Sequence, residues 1–232
     1  IKRYNQKKFF KINLLNKKKL NQLIKKNKPN IVIHLAAKST LDDIEFPNLY
    51  KSNNLVATQN LLDCMIENQI NNIIFSSTAN LFKSSKKKLR EGSKIKLSNP
   101  YSKSKFLCEK LIRQNKNINF IIFRFFNVCS SLPNYQIGEN HHPETHLIPK
   151  LYQYIRKNKT FEIYGKNFQT RDGTCIRDYI HIKDINRAIK KAVIKIQNNK
   201  IQKIINLGNS RGFSVLEIIN SFKKILKRNI KF

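Results

Sequence analysis

The chain has 232 residues, a mass of 27.3 kDa and 40% hydrophobic residues, enough for one large or two small domains with a buried core. No apolar run reaches membrane-spanning length and no secretory signal pattern is present, so no membrane partner is expected; the opening residue is Ile1 rather than Met, which leaves a longer parent product open. The formal net charge is +32, from 46 Lys+Arg against 14 Asp+Glu, yet the lysines are scattered, outnumber the arginines and are not interleaved with aromatics. Ile, Asn and Lys are inflated together, so the charge is read as compositional bias and no specific nucleic-acid partner is expected.

Strand-like and helix-like runs alternate. Phe9–Leu14 reads as a short strand and Lys17–Lys26 as a basic amphipathic helix. Ile31–Ala36 reads as a buried strand, and Asn53–Glu67 as a helix with Leu55, Leu61, Leu62, Cys64, Met65 and Ile66 on its apolar side. Ile73–Ser76 is the next strand, residues 83–99 a polar basic loop, Pro100–Arg113 a helix and Asn119–Phe126 a strand. After Asn127 the pattern loosens. Residues 129–147 and Gln169–Cys175 read as loops, Leu151–Lys157 as a helix and Phe161–Tyr164 as extended. Ile176–His181, Lys183–Ile196, Ile204–Leu207 and Val215–Leu226 follow as strand, helix, strand and helix. Alternation of this kind predicts an α/β fold with a doubly wound parallel sheet, and the long loops of the second half point to a substrate-binding region.

Chemistry concentrates where an apolar strand ends in Ser76-Ser77-Thr78 and a helix opens with Tyr101 and Lys105. Residues four apart on a helix share a face, and a hydroxyl from a strand end can meet them there. Tyr-x-x-x-Lys also occurs at Tyr4/Lys8 and Tyr179/Lys183, so spacing alone is uninformative in so lysine-rich a chain. Only Tyr101 has the context: Ser98-Asn99-Pro100 offers an N-cap and a first-turn proline, and Phe106, Cys108, Leu111 and Ile112 give its helix a packing side. Such a trio suits removal of a proton from an alcohol while a separate group takes its hydride.

Four well-separated cysteines (Cys64, Cys108, Cys129, Cys175) fit reduced thiols in a cytoplasmic protein. His142 and His146 have the i,i+4 spacing of a helical metal pair, but Pro143 interrupts the helix and no H-E-x-x-H is present, so no metal site is expected.

The ordered motifs Val32-Ile33-His34-Leu35-Ala36-Ala37-Lys38, Ser76-Ser77-Thr78-Ala79, Pro100-Tyr101-Ser102-Lys103-Ser104-Lys105, Arg124-Phe125-Phe126-Asn127 and Asp172-Gly173-Thr174-Cys175-Ile176-Arg177-Asp178-Tyr179-Ile180-His181 resemble those of the extended short-chain dehydrogenase/reductase superfamily. Within it, the nearest branch is the UDP-glucose 4-epimerases. The resemblance spans nearly the whole chain and implies a Rossmann-like fold, an NAD cofactor, a UDP-sugar substrate, a place in galactose metabolism and a homodimer built on the helices Asn53–Glu67 and Pro100–Arg113. By position, Thr78, Tyr101 and Lys105 would be catalytic. Asn13, Ala36, Ala37, Lys38, Asn53, Ser76, Tyr101, Lys105 and Phe126 would hold NAD. Thr78, Tyr101, Asn127, His146, Leu147 and Arg177 would hold the sugar nucleotide, with Arg177 on its diphosphate.

Lys105, together with the charged nicotinamide, would also lower the pKa of Tyr101, since a cation about 4 Å away in a medium of dielectric roughly 20 is worth on the order of 4 kcal/mol. Related dehydratases need an acid directly after the hydroxyl residue; Ala79 and Asn80 stand there, which favours epimerisation. Two further readings stay open: an epimerase of another nucleotide sugar, and an inactive remnant that acts as a basic binding protein.

The chain departs from the branch in lacking G-x-x-G-x-x-G, whose backbone amides seat the cofactor diphosphate. It is expected to begin near the family's second strand, to be one residue short between Lys38 and Pro47, and to end before the family's last UDP contacts. Residues 1–128 are then an N-terminally truncated NAD-binding domain, and residues 129–232 a smaller α/β substrate-binding region of which about 176–196 packs back on the first domain.

Overall fold

The computed structural model describes residues 9–39, 46–131, 138–139 and 143–232. Asn16 opens helix α1 (Lys17–Asn27) by accepting the Lys19 N–H, and Leu20 and Ile24, four apart, bury the helix's apolar side. Strand β1 (Val32–His34) pairs in parallel with β2 (Asn72–Thr78), Val32 against Ile73 and His34 against Phe75. Between them lie α2 (Pro47–Tyr50), a π-helical turn (Lys51–Val56) and α3 (Ala57–Glu67), continuous with one another. A short 3₁₀ turn (Ala79–Leu81), helix α4 (Pro100–Gln114) and β3 (Asn119–Phe125) follow.

The second half adds β4 (Asn127–Cys129), α5 (Leu147–Arg156), β5 (Ile176–His181), α6 (Ile182–Asn198), β6 (Gln202–Leu207), β7 (Gly212–Ser214) and α7 (Val215–Leu226). A four-stranded sheet runs β1-β2-β3-β6 and a three-stranded sheet β4-β5-β7, with β4 parallel and β7 antiparallel to β5. All four cysteines are free thiols. Among the described residues no helix is long and apolar enough to cross a membrane.

The chain divides into two compact units. The first runs to Arg124 and takes in Ile189–Ile205; the second comprises Phe125–Ala188 and Asn206–Phe232. The long segment of the first unit ends four residues before the expected boundary at 128/129, and of the expected return segment, about 176–196, residues 189–196 lie in the first unit. The physical reason is the sheet: the chain leaves it as β3 ends and rejoins it at β6, where the Phe120 N–H donates to Ile201 O at 2.9 Å.

In the first unit, Leu20 and Ile24 of α1, Leu61, Leu62 and Met65 of α3, Ile73 and Phe75 of β2, Cys108 and Ile112 of α4, and Phe120 and Ile122 of β3 form one core. In the second, Leu151, Ile155, Phe161, Ile219 and Ile230 form another. There α7 is held by a capping box between Ser214 and Glu217. Asp172 accepts the Thr174 N–H and hydroxyl and the Ser214 hydroxyl. Gly173, between them, has φ +77°, and a Cβ there would stand 2.2 Å from Lys166 O, so this turn admits only glycine.

Three expectations need correction. Phe9–Leu14 forms no strand: a strand exists through its paired neighbour, and no strand pairs with this stretch among the described residues. Ile12 and Leu14 instead pack as side chains on the first core, leaving Phe9 and Phe10 exposed. Ile31–Ala36 is not a buried strand. Only Val32–His34 is paired, β1 ends the sheet order, and Ile33 and Leu35 are 43% and 53% exposed. Phe161–Tyr164 forms no strand either, although the Phe161 N–H donates to Lys231 O at 2.9 Å.

Candidate active site

Strand β2 delivers three hydroxyls in a row. Its apolar run Ile73-Ile74-Phe75 is fully buried, and Ser76, Ser77 and Thr78 continue the buried line. Ser76 donates to His34 O at 3.2 Å and so closes β2 against β1. Thr78 keeps extended backbone and caps the 3₁₀ turn, its oxygen accepting the Asn80 N–H at 3.1 Å. That leaves the Thr78 hydroxyl hydrogen to donate elsewhere.

Helix α4 begins where the sequence predicted. Asn99 accepts the Ser102 N–H at 2.7 Å, Ser102 closes the capping box, and Pro100 supplies the fixed φ of the first turn. Tyr101 therefore sits in the first turn and Lys105 one turn further, and Ser104 ties the turn by donating to Tyr101 O at 2.8 Å. The Thr78 hydroxyl faces the Tyr101 phenol closely enough to favour its ionised form. The structure thus brings Thr78 and Tyr101 together from β2 and α4, with Lys105 one turn further along α4 and buried over the Phe75 ring.

The electrostatics differ from the sequence expectation. The Tyr101 phenol titrates above its ordinary value: burial, the largest cause, raises it, the Thr78 hydrogen bond lowers it, and neighbouring Tyr50 raises it. Lys105 is not among the groups acting on it. Lys105 is 2% exposed and faces the ring of Phe75, and burial lowers its own pKa from 10.5 to about 8, partly offset by Cys108 and Glu109. In this state water exclusion, rather than the lysine charge, dominates the phenol.

The turn after β1 is held by a residue that the sequence reading did not select. The Asn54 Oδ1 accepts the Lys38 N–H at 2.7 Å, while its Nδ2 donates to Lys38 O at 3.1 Å and to Ser104 Oγ at 2.9 Å. One buried amide so links the Lys38 backbone to the helix of Tyr101 and Lys105. Asn53, selected instead, is exposed and donates to Leu49 O at 2.9 Å. A signal was present: positions 54, 57, 58, 61 and 65 share one helical stripe, and an amide on a buried stripe must find partners. Ala36 and Ala37 are exposed, and Lys38 is half-buried. The Asn13 carboxamide oxygen accepts the Leu15 N–H at 3.0 Å and so serves its own turn.

In the second unit, Phe126 is half-buried between β3 and β4, its N–H donating to Leu207 O. A Cβ on Gly208 would stand 2.7 Å from Asp178 Oδ2 and 2.9 Å from the Phe126 ring, so a larger residue there would push one of these side chains aside. Asn127 opens β4 and donates to Asp178 O at 3.0 Å. Arg177 projects exposed from β5, and its guanidinium donates to Ile176 O at 3.1 Å. Leu147 begins α5 and packs on the second core; His146 precedes it, its N–H donating to Glu144 at 2.8 Å. The His146 imidazole lies 2.8 Å from Glu139 and 3.5 Å from Glu144, so three potential ligand atoms fall within 4.8 Å of one another. His142 lies outside the described residues.

Residues 1–208 match the NAD dependent epimerase/dehydratase family. The UDP-glucose 4-epimerase of Halalkalibacterium halodurans is 35% identical over 200 residues, covering 84% of this chain and 60% of that protein. The crystal structure of UDP-glucose 4-epimerase from Brucella ovis in complex with NAD superposes with a TM-score of 0.91 at 33% identity, covering 96% of this chain and 70% of that one. The UDP-Glc/GlcNAc 4-epimerase from Campylobacter jejuni gives a TM-score of 0.80 at 31% identity, covering 97% and 70%. The chain spans about 60% of the length of the first of these relatives, and the likeness extends across both of its units. The motifs, the Rossmann-like α/β fold and the match over most of its length place it plainly: the chain belongs to the NAD dependent epimerase/dehydratase family.

Proposed function

We propose that this chain carries the proton-transfer centre of a UDP-glucose 4-epimerase, in which Tyr101 takes the proton from the 4-hydroxyl of a UDP-hexose and returns it. The observation that carries the reading is the placement of the buried Thr78 hydroxyl at the end of β2, where it acts on the Tyr101 phenol in the first turn of α4, with buried Lys105 one turn along the same helix. A phenol takes a proton only as phenolate, and the Thr78 bond favours that form. Lys105 supplies a buried cation for hydroxyl or phenolate oxygens brought against it. With Ala79 and Asn80 after Thr78, no carboxylate adjoins the hydroxyl to drive elimination.

The residues fit the nicotinamide-ribose half of a dinucleotide: a buried ammonium, a hydroxyl-lined strand end, and the Ala36-Ala37 turn, whose small side chains leave the end of β1 open. Bound NAD supplies hydride acceptance and return at the sugar C4. Ser76, Tyr101, Lys105, Asn13, Asn53, the 36–38 turn and Phe126 are its proposed contacts, and Asn127, His146, Leu147 and Arg177 those of the sugar nucleotide. The sequence contains no G-x-x-G-x-x-G to seat the diphosphate.

A homodimer through α3 and α4, a cytoplasmic location and a role in galactose metabolism belong to the same proposal; Val56 and Ile66, exposed beside and on α3, support the first. The test is conversion of UDP-galactose to UDP-glucose with added NAD by the wild-type chain and Tyr101→Phe. A fall of about 10²–10⁴ in the variant is expected. Equal conversion by both removes Tyr101 from the reaction. Silence from both, persisting after the segments present in the relatives are restored, removes the epimerase reading.

A further inference from the structure

Helix α4 buries a second line of charge behind its reacting face. Lys105, Cys108, Glu109 and Ile112 all point inward, and Glu109 is fully buried. Its carboxylate receives Arg124 of β3 in a fork, Nε to Oε1 at 2.9 Å and Nη2 to Oε2 at 2.7 Å. The third Arg124 nitrogen, Nη1, donates to Glu91 O at 2.9 Å, and the guanidinium rests against the Phe82 ring. Oε1 also accepts the Ser77 hydroxyl at 2.5 Å. Ser77 lies between Ser76, which is bonded to β1, and Thr78, whose hydroxyl acts on the Tyr101 phenol.

A buried ion pair is a poor source of stability, because desolvation of both charges offsets their attraction. Its value lies in fixed geometry, and a bidentate guanidinium–carboxylate pair is among the most directional contacts available. The pair joins the helix of Tyr101 and Lys105, the strand end of Thr78 and the neighbouring strand β3.

We propose that Glu109 and Arg124 are positioning residues for the reacting hydroxyls: through Ser77 they fix the end of β2 against α4, so that the Thr78 hydroxyl stays aimed at the Tyr101 oxygen. This rests on the reading of Thr78 and Tyr101 as the proton-transfer pair. Neither Glu109 nor Arg124 touches the reacting atoms; they act through Ser77.

The test needs neither substrate nor cofactor, so it stays decisive if turnover assays are silent. Ionisation of Tyr101 in the full chain is followed by tyrosinate absorbance, as the difference between each protein and the same protein carrying Tyr101→Phe. Thr78 and Tyr50 are the groups acting on that phenol, and both remain in place. Ser77→Ala frees the strand end while keeping the ion pair, and is expected to lower the Tyr101 ionisation constant about fivefold, the worth of one hydrogen bond. Ser77→Thr, which keeps a hydroxyl, is expected to restore it. Arg124→Lys, which keeps the charge but loses the fork, is expected to shift it in the same direction as Ser77→Ala, and it decides the matter if Ser77→Ala does not fold. A lower melting temperature with Tyr101 ionisation unchanged in both variants overturns the proposal and leaves the pair a structural contact only.

Discussion

The ammonium of Lys105 lies 4.3 Å from the centre of the Phe75 ring, the side chain being 2% exposed. A ring face offers a cation some electrostatic return but far less than water does, which is why the lysine titrates at about 8 instead of 10.5. Below pH 8 the group is charged both folded and unfolded, and the whole cost of burying the charge is carried. Between about 8 and 10.5 the unfolded chain holds the extra proton, so this group's contribution to stability improves as pH rises.

The consequence is measurable against Lys105→Met, which carries no such cost. The difference in unfolding free energy between variant and wild type, read from denaturant titrations, is expected to move by about 3 kcal/mol in favour of the wild type from pH 8 to pH 10.5. A pH-independent difference would show that the ammonium is not desolvated.

His34 gives the opposite window. It is buried, its Nε2 lies 2.9 Å from the Thr58 hydroxyl, and the Phe75 ring and Lys105 face it. Burial, then the Lys105 charge, lowers its pKa from 6.5 to about 4. The folded state therefore resists protonation. Stability from this group is present in full above pH 6.5 and is lost as pH falls toward 4, where the unfolded chain binds the proton first. Compared with His34→Gln, the wild-type chain is expected to lose about 3 kcal/mol over that range. Equal acid sensitivity of the two proteins in denaturant titrations at pH 6.5 and 4 would refute it.

The neighbouring asparagines 53 and 54 form a natural control pair. Asn54→Leu removes three buried side-chain hydrogen bonds, two to the Lys38 backbone and one to the Ser104 hydroxyl, so a loss of about 2–4 kcal/mol is expected. Asn53→Ala removes an exposed contact to Leu49 O and is expected to stay within about 0.5 kcal/mol. Equilibrium unfolding of the two variants side by side decides the matter, and similar losses would dismiss the special role of Asn54.

What could be read from the sequence was local. Helix α1 begins after Asn16 and α4 after Asn99, because capping is chemistry between residues two or three apart. The hydroxyl-ended strand β2 and the helix of Tyr101 and Lys105 were legible for the same reason: a short apolar run and a capped amphipathic stripe each state their own structure. Phe9–Leu14 was misread because strand formation depends on a partner elsewhere. The three-residue strands β4 and β7 went unseen because they are defined by register with β5 and not by any pattern of their own. The desolvation of the phenol was not legible in the same way, because spacing tells which residues are near, while desolvation depends on everything that packs around them.

The π-helical turn between α2 and α3 bears on how this helix tolerates change in length. A regular helix advances 100° per residue, so each residue gained or lost turns every later side chain by that angle. The wider π turn accommodates such an extra residue locally. Here it lies at Lys51–Val56, with Tyr50 buried just before it, Ala57 and Thr58 just after it, and Asn54 facing inward within it. Deleting one residue from the segment would give a more regular helix, and one easier to form. It would also rotate Asn54 off the buried line and leave the Lys38 turn without its anchor, so the irregularity is the part of this helix that evolution is least free to tidy.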